Sequence, residues 1–296
     1  MAGLKELRSR IAAIKSTKKI ASAMKMIAAS RLRRAKEVLA KNETYRHSVY
    51  KALQTALELM KEQKEDGIIL PPICCPKEKK QRFLLVVLSS DKGLCGSYNS
   101  AIGRAAVNRI EELLAAKKEV KLITLGQKGF NLLRRNYGSL IIRNDCSVVN
   151  QGVDYVEALD LANEILNMFN KDEIDVCEIV YSGFKSALNR ETLSRQVLPF
   201  DLDFLCVKEK TPSSYDMEPW GEELTETLVD MAFKEFIFDI MINSQASEQG
   251  ARMSSMDNAT RNAGEMISKL TLKYNRLRQS AITTELTEII AGAEAV

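Results

Sequence analysis

The residues best placed for chemistry form one short turn, Ser89-Ser90-Asp91-Lys92-Gly93-Leu94-Cys95-Gly96. It offers a thiol, a carboxylate, an ammonium and two glycines, directly after an apolar run and just before a helical one. In an α/β fold, ligands bind at such an edge. The spacing completes no phosphate-binding pattern: Gly93-x-x-Gly96 lacks GxGxxG, and no GxxxxGK[ST] loop occurs. Cys95 as a nucleophile needs a base, and the only histidine, His47, lies in the distant N-terminal segment. Asp145, Asp154 and Glu157 are single acids near loops, suited to solvent or helix capping. Two readings remain for the turn, a tight structural bend or a ligand site at Gly93–Gly96. No catalytic residue, cofactor site or metal site is assigned.

The six cysteines are Cys74, Cys75, Cys95, Cys146, Cys177 and Cys206. There is no CxxC, and adjacent cysteines rarely bridge without strain, so reduced thiols are expected rather than zinc or a disulfide framework.

The elements around this turn change character along the chain. Arg82–Lys208 alternates strand and helix patterns. Strands are expected at Phe83–Leu88, Val120–Leu125, Leu140–Arg143, Asp175–Phe184 and Leu193–Pro199. Helices are expected at Asn99–Ala116, Gln127–Arg135 and Val153–Asn170. This predicts a small, mainly parallel, three-layer α/β domain of Rossmann-like type, about 125 residues long and able to hold its own core. Residues 67–81, with Pro71, Pro72 and Pro76, read as a linker, and 209–220, with the only tryptophan, as a loop.

The two ends carry no such alternation. Residues 1–66 and 221–296 read as long helices. The second is predicted to be roughly 70 residues, about 105 Å at 1.5 Å per residue. Its apolar seam is expected at Met256, Ala259, Ala263, Met266, Leu270, Tyr274, Leu277 and Ala281. In the first helix Leu4, Leu7, Ile11 and Ile14 keep heptad spacing. Thr17, Ile20, Met24 and Ile27 then restart it, which predicts an irregular pairing. From Met1 to Arg46 thirteen basic residues face three acidic ones, whereas Gly221–Val296 has seven basic and twelve acidic. Opposite charge predicts that the two helices lie together, with the α/β domain inserted between them. The net charge of +4 and the lack of aromatic residues before Tyr45 argue against nucleic acid. Met1-Ala2-Gly3-Leu4-Lys5 enters a charged helix without a secretory signal. Apolar runs such as Phe83–Leu88 fall far short of the ~20 residues of a membrane span. A soluble chain is expected, tied to any membrane only through partners.

Three sets of motifs then carry a resemblance. They are Lys18-Lys19-Ile20-Ala21-Ser22-Ala23-Met24-Lys25-Met26-Ile27-Ala28-Ala29-Ser30, Ser90–Gly96, and a C-terminal set. The last comprises Ser247-Glu248-Gln249-Gly250-Ala251-Arg252-Met253, Met256-Asp257-Asn258-Ala259, Tyr274-Asn275-Arg276-Leu277-Arg278-Gln279 and Ile282-Thr283-Thr284-Glu285-Leu286-Thr287-Glu288-Ile289-Ile290. With them the chain resembles, from end to end, the gamma subunit of F-type ATP synthases, the rotating central stalk. Gly250 stands where that family commonly has alanine or serine, at a cost to the helix of up to ~1 kcal/mol.

The resemblance implies that the two terminal helices form a long antiparallel coiled coil, and that the chain is a non-catalytic rotor that couples ion flow to ATP synthesis or hydrolysis. Its implied partners are the alpha and beta subunits of the hexamer, the epsilon subunit and the membrane ring of c subunits, with ATP chemistry in beta. It implies that Arg278, Gln279, Thr283 and Glu285 meet the beta catch loops. Met24, Lys25, Lys92, Cys95 and Arg252 match the region facing the beta lever loops and the bottom of the hexamer. Ile282, Leu286, Ile289 and Ile290 match the apolar bearing at the tip, and Tyr215 and Glu218 the foot loop facing the ring. The implied location is peripheral, on the cytoplasmic face of an inner or plasma membrane, or the matrix face in a mitochondrion. The alternative from another class is a coiled-coil scaffold whose α/β domain binds a ligand.

Overall fold

Proline-free sequence at each end folds into the two longest elements. In the computed structural model α1 spans Ala2–Gln63 and α5 spans Glu222–Glu294, 62 and 73 residues, about 93 and 110 Å long. The structure describes residues 2–63, 70–77, 80–145, 153–186, 189–202 and 222–294. The two helices run antiparallel, since Lys25 meets Asp257, Asn42 meets Glu235 and Arg46 meets Asp239. α5 continues unbroken through Gly250.

The expected restart of the heptads in α1 does not occur. One series of three- and four-residue steps runs from Leu4 to Ala56, and Ala21, Ala28, Leu32, Ala35, Asn42, Val49, Leu53 and Ala56 on it are buried. Ile20 and Ile27, expected on the seam, point outward and are 61% and 56% exposed. Small alanines and the stems of Lys18 and Lys25 take their place. Nζ of Lys18 lies 3.2 Å from the point where a Cβ on Gly264 would sit. On α5 the seam uses Met256 and Ala263, both buried, and then Ile267, with Met266 turned out.

Between the long helices lie β1 (Arg82–Leu88), α2 (Tyr98–Ala115), β2 (Glu119–Leu125), α3 (Gln127–Tyr137), β3 (Ile141–Asp145), α4 (Tyr155–Asn170), β4 (Val176–Phe184) and β5 (Arg190–Leu198). Each matches an expected element to within a few residues. The sheet order is β3-β2-β1-β4-β5. The first four strands are parallel and β5 pairs antiparallel with β4. Strands buried on both faces read as continuous apolar runs. In β1, Leu84, Val86 and Leu88 enter one core with α4 and α5, while Phe83, Leu85 and Val87 enter another with α2. Asp154 and Glu157 form a capping box at the start of α4, a structural use of these acids.

The inserted domain owns one of its two cores, since the cluster around Phe83, Leu85 and Val87 takes only Ala251 from outside it, and it shares the other with the long helices. The shared core contains Val49 and Leu53 of α1 and Val229, Phe233, Phe236 and Ile237 of α5. α5 is buried on nearly every side from Ala232 to Arg252, where it passes through the head, and its Glu235, Ser244 and Ser247 there meet partners on α1 or in the head. α5 is therefore both a strand of the shaft and a layer of the α/β head.

Candidate functional site

The chemically dense turn after β1 is consumed by structural bonds. Ser89 Oγ donates to the carbonyls of Leu125 and Gly126 at 3.1 and 3.0 Å and accepts from the Gly129 N–H at 2.8 Å. The Gln127 N–H donates to Asp91 Oδ1 at 3.0 Å, so this carboxylate caps α3. Burial pushes the Asp91 carboxyl up, against the lowering effect of that N–H. Asn99 Nδ2 donates to Cys95 Sγ at 3.1 Å. Cys95 is 1% exposed. The expected partner contact at Cys95 is thus corrected: its thiol faces Ser90 and Asn99 inside the head, and the exposed neighbours are Lys92 and Leu94. Cys74, Cys75, Cys95 and Cys177 are free thiols, and Cys146 and Cys206 lie outside the described residues.

The second place where this fold could hold a ligand is also occupied. In open α/β sheets the crevice lies beyond the carboxyl ends of the strands, where the strand order reverses. Here that is between β1 and β4. α5 runs through it, with Ser244 against Tyr98 and Ser247 against Ser182. The space left beside Tyr98, Ser89 and Glu248 is about 20 Å³, room for roughly one water. The switch point itself therefore has no room for a ligand, while Gly93 and Leu94 line a separate cleft on the other side of the turn.

Met24, Lys92 and Arg252 do converge. They line a cleft of about 390 Å³ between α1, the β1–α2 turn and α5. Arg252 pairs with Glu248 at 2.6 Å and donates to the Lys92 carbonyl at 3.2 Å. Burial pushes the Glu248 carboxyl up, and the Arg252 guanidinium opposes it. Glu248 Oε2 and Gln249 Oε1, on the floor of the cleft, have no partner among the described residues. The rim carries Arg31, Ile27 and Leu94, all exposed. Lys25 is next to the cleft and is bound to Asp257 at 2.6 Å.

The other predicted contacts sit on a bare helix. Continued residue by residue, the pairing of Lys25 with Asp257 puts the start of α1 beside residue 280. Arg278, Gln279, Thr283 and Glu285 are exposed, as is every residue from Ile282 to Ala291. Ile282, Leu286, Ile289 and Ile290 show 47–71% of their surface. Thr283 donates only back along its own helix, to the Gln279 carbonyl at 2.9 Å. Tyr215 and Glu218, the predicted foot contacts, lie outside the described residues.

Sequence reasoning did not single out Tyr98, Ser182 and Ser244, and quoted Ser247 only within a family motif. Their signal was the cluster of small and polar residues at Ser244–Arg252, unusual between the apolar Phe236–Ile242 and the seam beyond.

Such an architecture, a paired-helix shaft bare at one end with an α/β head on its flank, defines a stalk-type protein. A family model described as ATP synthase matches residues 3–296. The ATP synthase gamma chain of Paramagnetospirillum magneticum is 41% identical over 298 residues, covering 100% of both chains. The chain belongs to the ATP synthase gamma chain family. Among solved structures, the central stalk/c-ring structure of Tetrahymena thermophila mitochondrial ATP synthase contains a chain 26% identical. It covers 81% of this chain and 99% of that one, with a TM-score of 0.58. A chain of the Euglena gracilis mitochondrial ATP synthase OSCP/F1/c-ring structure shares the fold at 15% identity, covering 99% and 94%, with a TM-score of 0.65.

Proposed function

We propose that this chain is the central-stalk rotor of an F-type ATP synthase, turning with a ring of c subunits and carrying that rotation into a hexamer of alpha and beta subunits. The observation that carries the reading is the bare end of α5 beyond its pairing with α1, on a chain with full-length relatives named ATP synthase gamma chain. An exposed helix with a polar band and an apolar tip is costly to leave in water and suits a surrounding protein sleeve.

In this reading Arg278, Gln279, Thr283 and Glu285 contact the beta catch loops. A planar guanidinium, an amide and a hydroxyl give directional bonds that can form and release as the shaft turns. Ile282, Leu286, Ile289 and Ile290 form the bearing. The cleft of Met24, Lys92 and Arg252 meets the beta lever loops, with Lys25 positioning the shaft beside it, and Tyr215 and Glu218 belong to the foot beside the ring. The shaft is 1–66 with 221–296, the linker is 67–81, the head is 82–208 and the foot loop is 209–220. The head is a Rossmann-like unit whose ligand crevice α5 has taken. The chain itself is non-catalytic, with ATP made and broken in the beta subunits. It sits peripherally on the cytoplasmic face of the membrane, or the matrix face in a mitochondrion, held there by the epsilon subunit and the c-ring.

The test is co-expression with alpha and beta subunits. The expected outcome is a stoichiometric complex with this chain in its centre; a monodisperse monomer that ignores both subunits would sink the proposal.

A further inference from the structure

Most of the contact between α5 and the head is apolar, but one stripe is not. Ser244, Ser247 and Arg252 lie along the side of α5 that fills the crevice, and each is bonded to a different element of the head. Ser244 Oγ lies 2.8 Å from the Tyr98 hydroxyl at the first residue of α2. Ser247 Oγ lies 2.7 Å from Ser182 Oγ in β4. Arg252 donates to the Lys92 carbonyl in the β1–α2 turn at 3.2 Å. Tyr98, Ser182, Ser244 and Ser247 are each no more than 5% exposed, so water does not compete for these bonds. Ala251, packed in the second core, and the small space beside Ser244 leave the helix little freedom to shift.

Apolar contact is non-directional and sets no single angle of the helix by itself. Hydrogen bonds weaken steeply when distance or angle changes. A buried hydroxyl that loses its partner also bears the full cost of desolvation. Bonds to three separate elements are all lost if the head turns about α5 or slips along it. We propose that these contacts form a torque-bearing latch, in which α5 is the built-in occupant of the head's crevice and Tyr98, Ser182, Ser244, Ser247 and Arg252 are positioning residues that make head and shaft turn as one body. The proposal rests on the central-stalk reading.

The test uses the full chain in the assembled ATP synthase, with ATP hydrolysis and ATP-driven ion pumping measured together. In the variant Ser182→Cys with Ser247→Cys, the short separation of the two hydroxyls puts the thiols within disulfide reach. Copper phenanthroline oxidises the two thiols to one disulfide, and dithiothreitol reverses it. A latch predicts that the oxidised complex pumps as many ions per ATP as the reduced wild type. Loss of pumping on oxidation, regained on reduction, would show that head and shaft must move past each other there and would overturn the latch.

Tyr98→Phe in the same cysteine background supplies the second arm. Before oxidation, losing a bond worth about 1 kcal/mol should multiply slipped turns about fivefold, with hydrolysis near wild type. Oxidation should restore pumping per ATP, a rescue that a merely packing role for these residues does not predict. An unchanged ratio before oxidation would also overturn the latch. Failure of the wild-type chain to assemble would instead count against the central-stalk reading.

Discussion

The Lys25 ammonium sits 2.6 Å from the Asp257 carboxylate and joins two helices across 232 residues of sequence. Lys25 occupies a seam position of α1, and its hydrogen bond to Asp257 holds that carboxyl below its usual range. Both side chains are partly exposed, at 44% and 37%, so the pair contributes more to alignment than to stability. It lies beside the cleft of Met24, Lys92 and Arg252, where the shaft leaves the head.

The tip residues should separate stability from function. Arg278→Ala with Gln279→Ala removes two exposed side chains and should change the unfolding free energy of the chain by less than about 0.5 kcal/mol. In the assembled complex the same pair should lower ATPase coupling. Denaturant unfolding and proton-pumping assays on one preparation check both halves; unchanged pumping would mean that the band is inert.

Glu235 should make stability depend on pH near neutrality. It is fully buried in the seam and accepts from Asn42 Nδ2, and burial pushes its carboxyl from 4.5 up to about 7. The folded state therefore holds a proton that the unfolded state releases. That contribution is complete below pH 4.5 and is lost as pH rises to about 7. Glu235→Gln should melt progressively higher relative to wild type from pH 5 to 8. Parallel melting curves for the two proteins would contradict this.

Asp175 should act with the opposite sign. Burial alone would raise its carboxyl, but the Arg82 guanidinium and the N–H groups of Arg82 and Gln81 outweigh burial and bring it from 3.8 to about 2. Its contribution is present above pH 3.8 and disappears as pH falls to about 2. The stability gap between wild type and Asp175→Asn should therefore be flat at neutral pH and close in acid, as read by denaturant midpoints.

Two glycines should answer alanine differently. At Gly126, φ is 99° and a Cβ would lie 2.3 Å from the Ser89 carbonyl oxygen. Gly126→Ala should cost at least about 2 kcal/mol. Gly138 has helical φ and ψ with nothing within 4 Å of a Cβ. Gly138→Ala should be neutral or stabilise by up to about 1 kcal/mol through the unfolded chain. Thermal melts of the two variants give the comparison.

The strands and helices of the head were legible because each keeps one hydrophobic period between clear breaks. The seam of α1 was misread for a physical reason. Ile20 and Ile27 are the most apolar residues of their stretch, yet close helix approach selects Ala21 and Ala28 one step away, with Lys18 and Lys25 lying along the groove. Met266 was placed on the seam by a three-residue step from Ala263, where the helix takes the four-residue step to Ile267. The contact cleft was legible residue by residue only through the family motifs, since Met24, Lys92 and Arg252 belong to three distant segments. The filled crevice was not legible at all. It depends on how α5 crosses β1 and β4, which no local pattern of Ser244 or Ser247 encodes.

The length by which α5 outruns α1 also sets the symmetry of the molecule. A single helix is nearly a cylinder, about 10–12 Å across with its side chains. From Ile282 onward the shaft therefore presents almost the same outline in every direction. Where α1 joins, the cross-section becomes roughly twice as wide along one line as along the other, and the head then adds bulk to one flank. Neighbours arranged evenly around such an axle would be told apart at the level of Met24 and Arg252, while those around the tip would meet a round pivot.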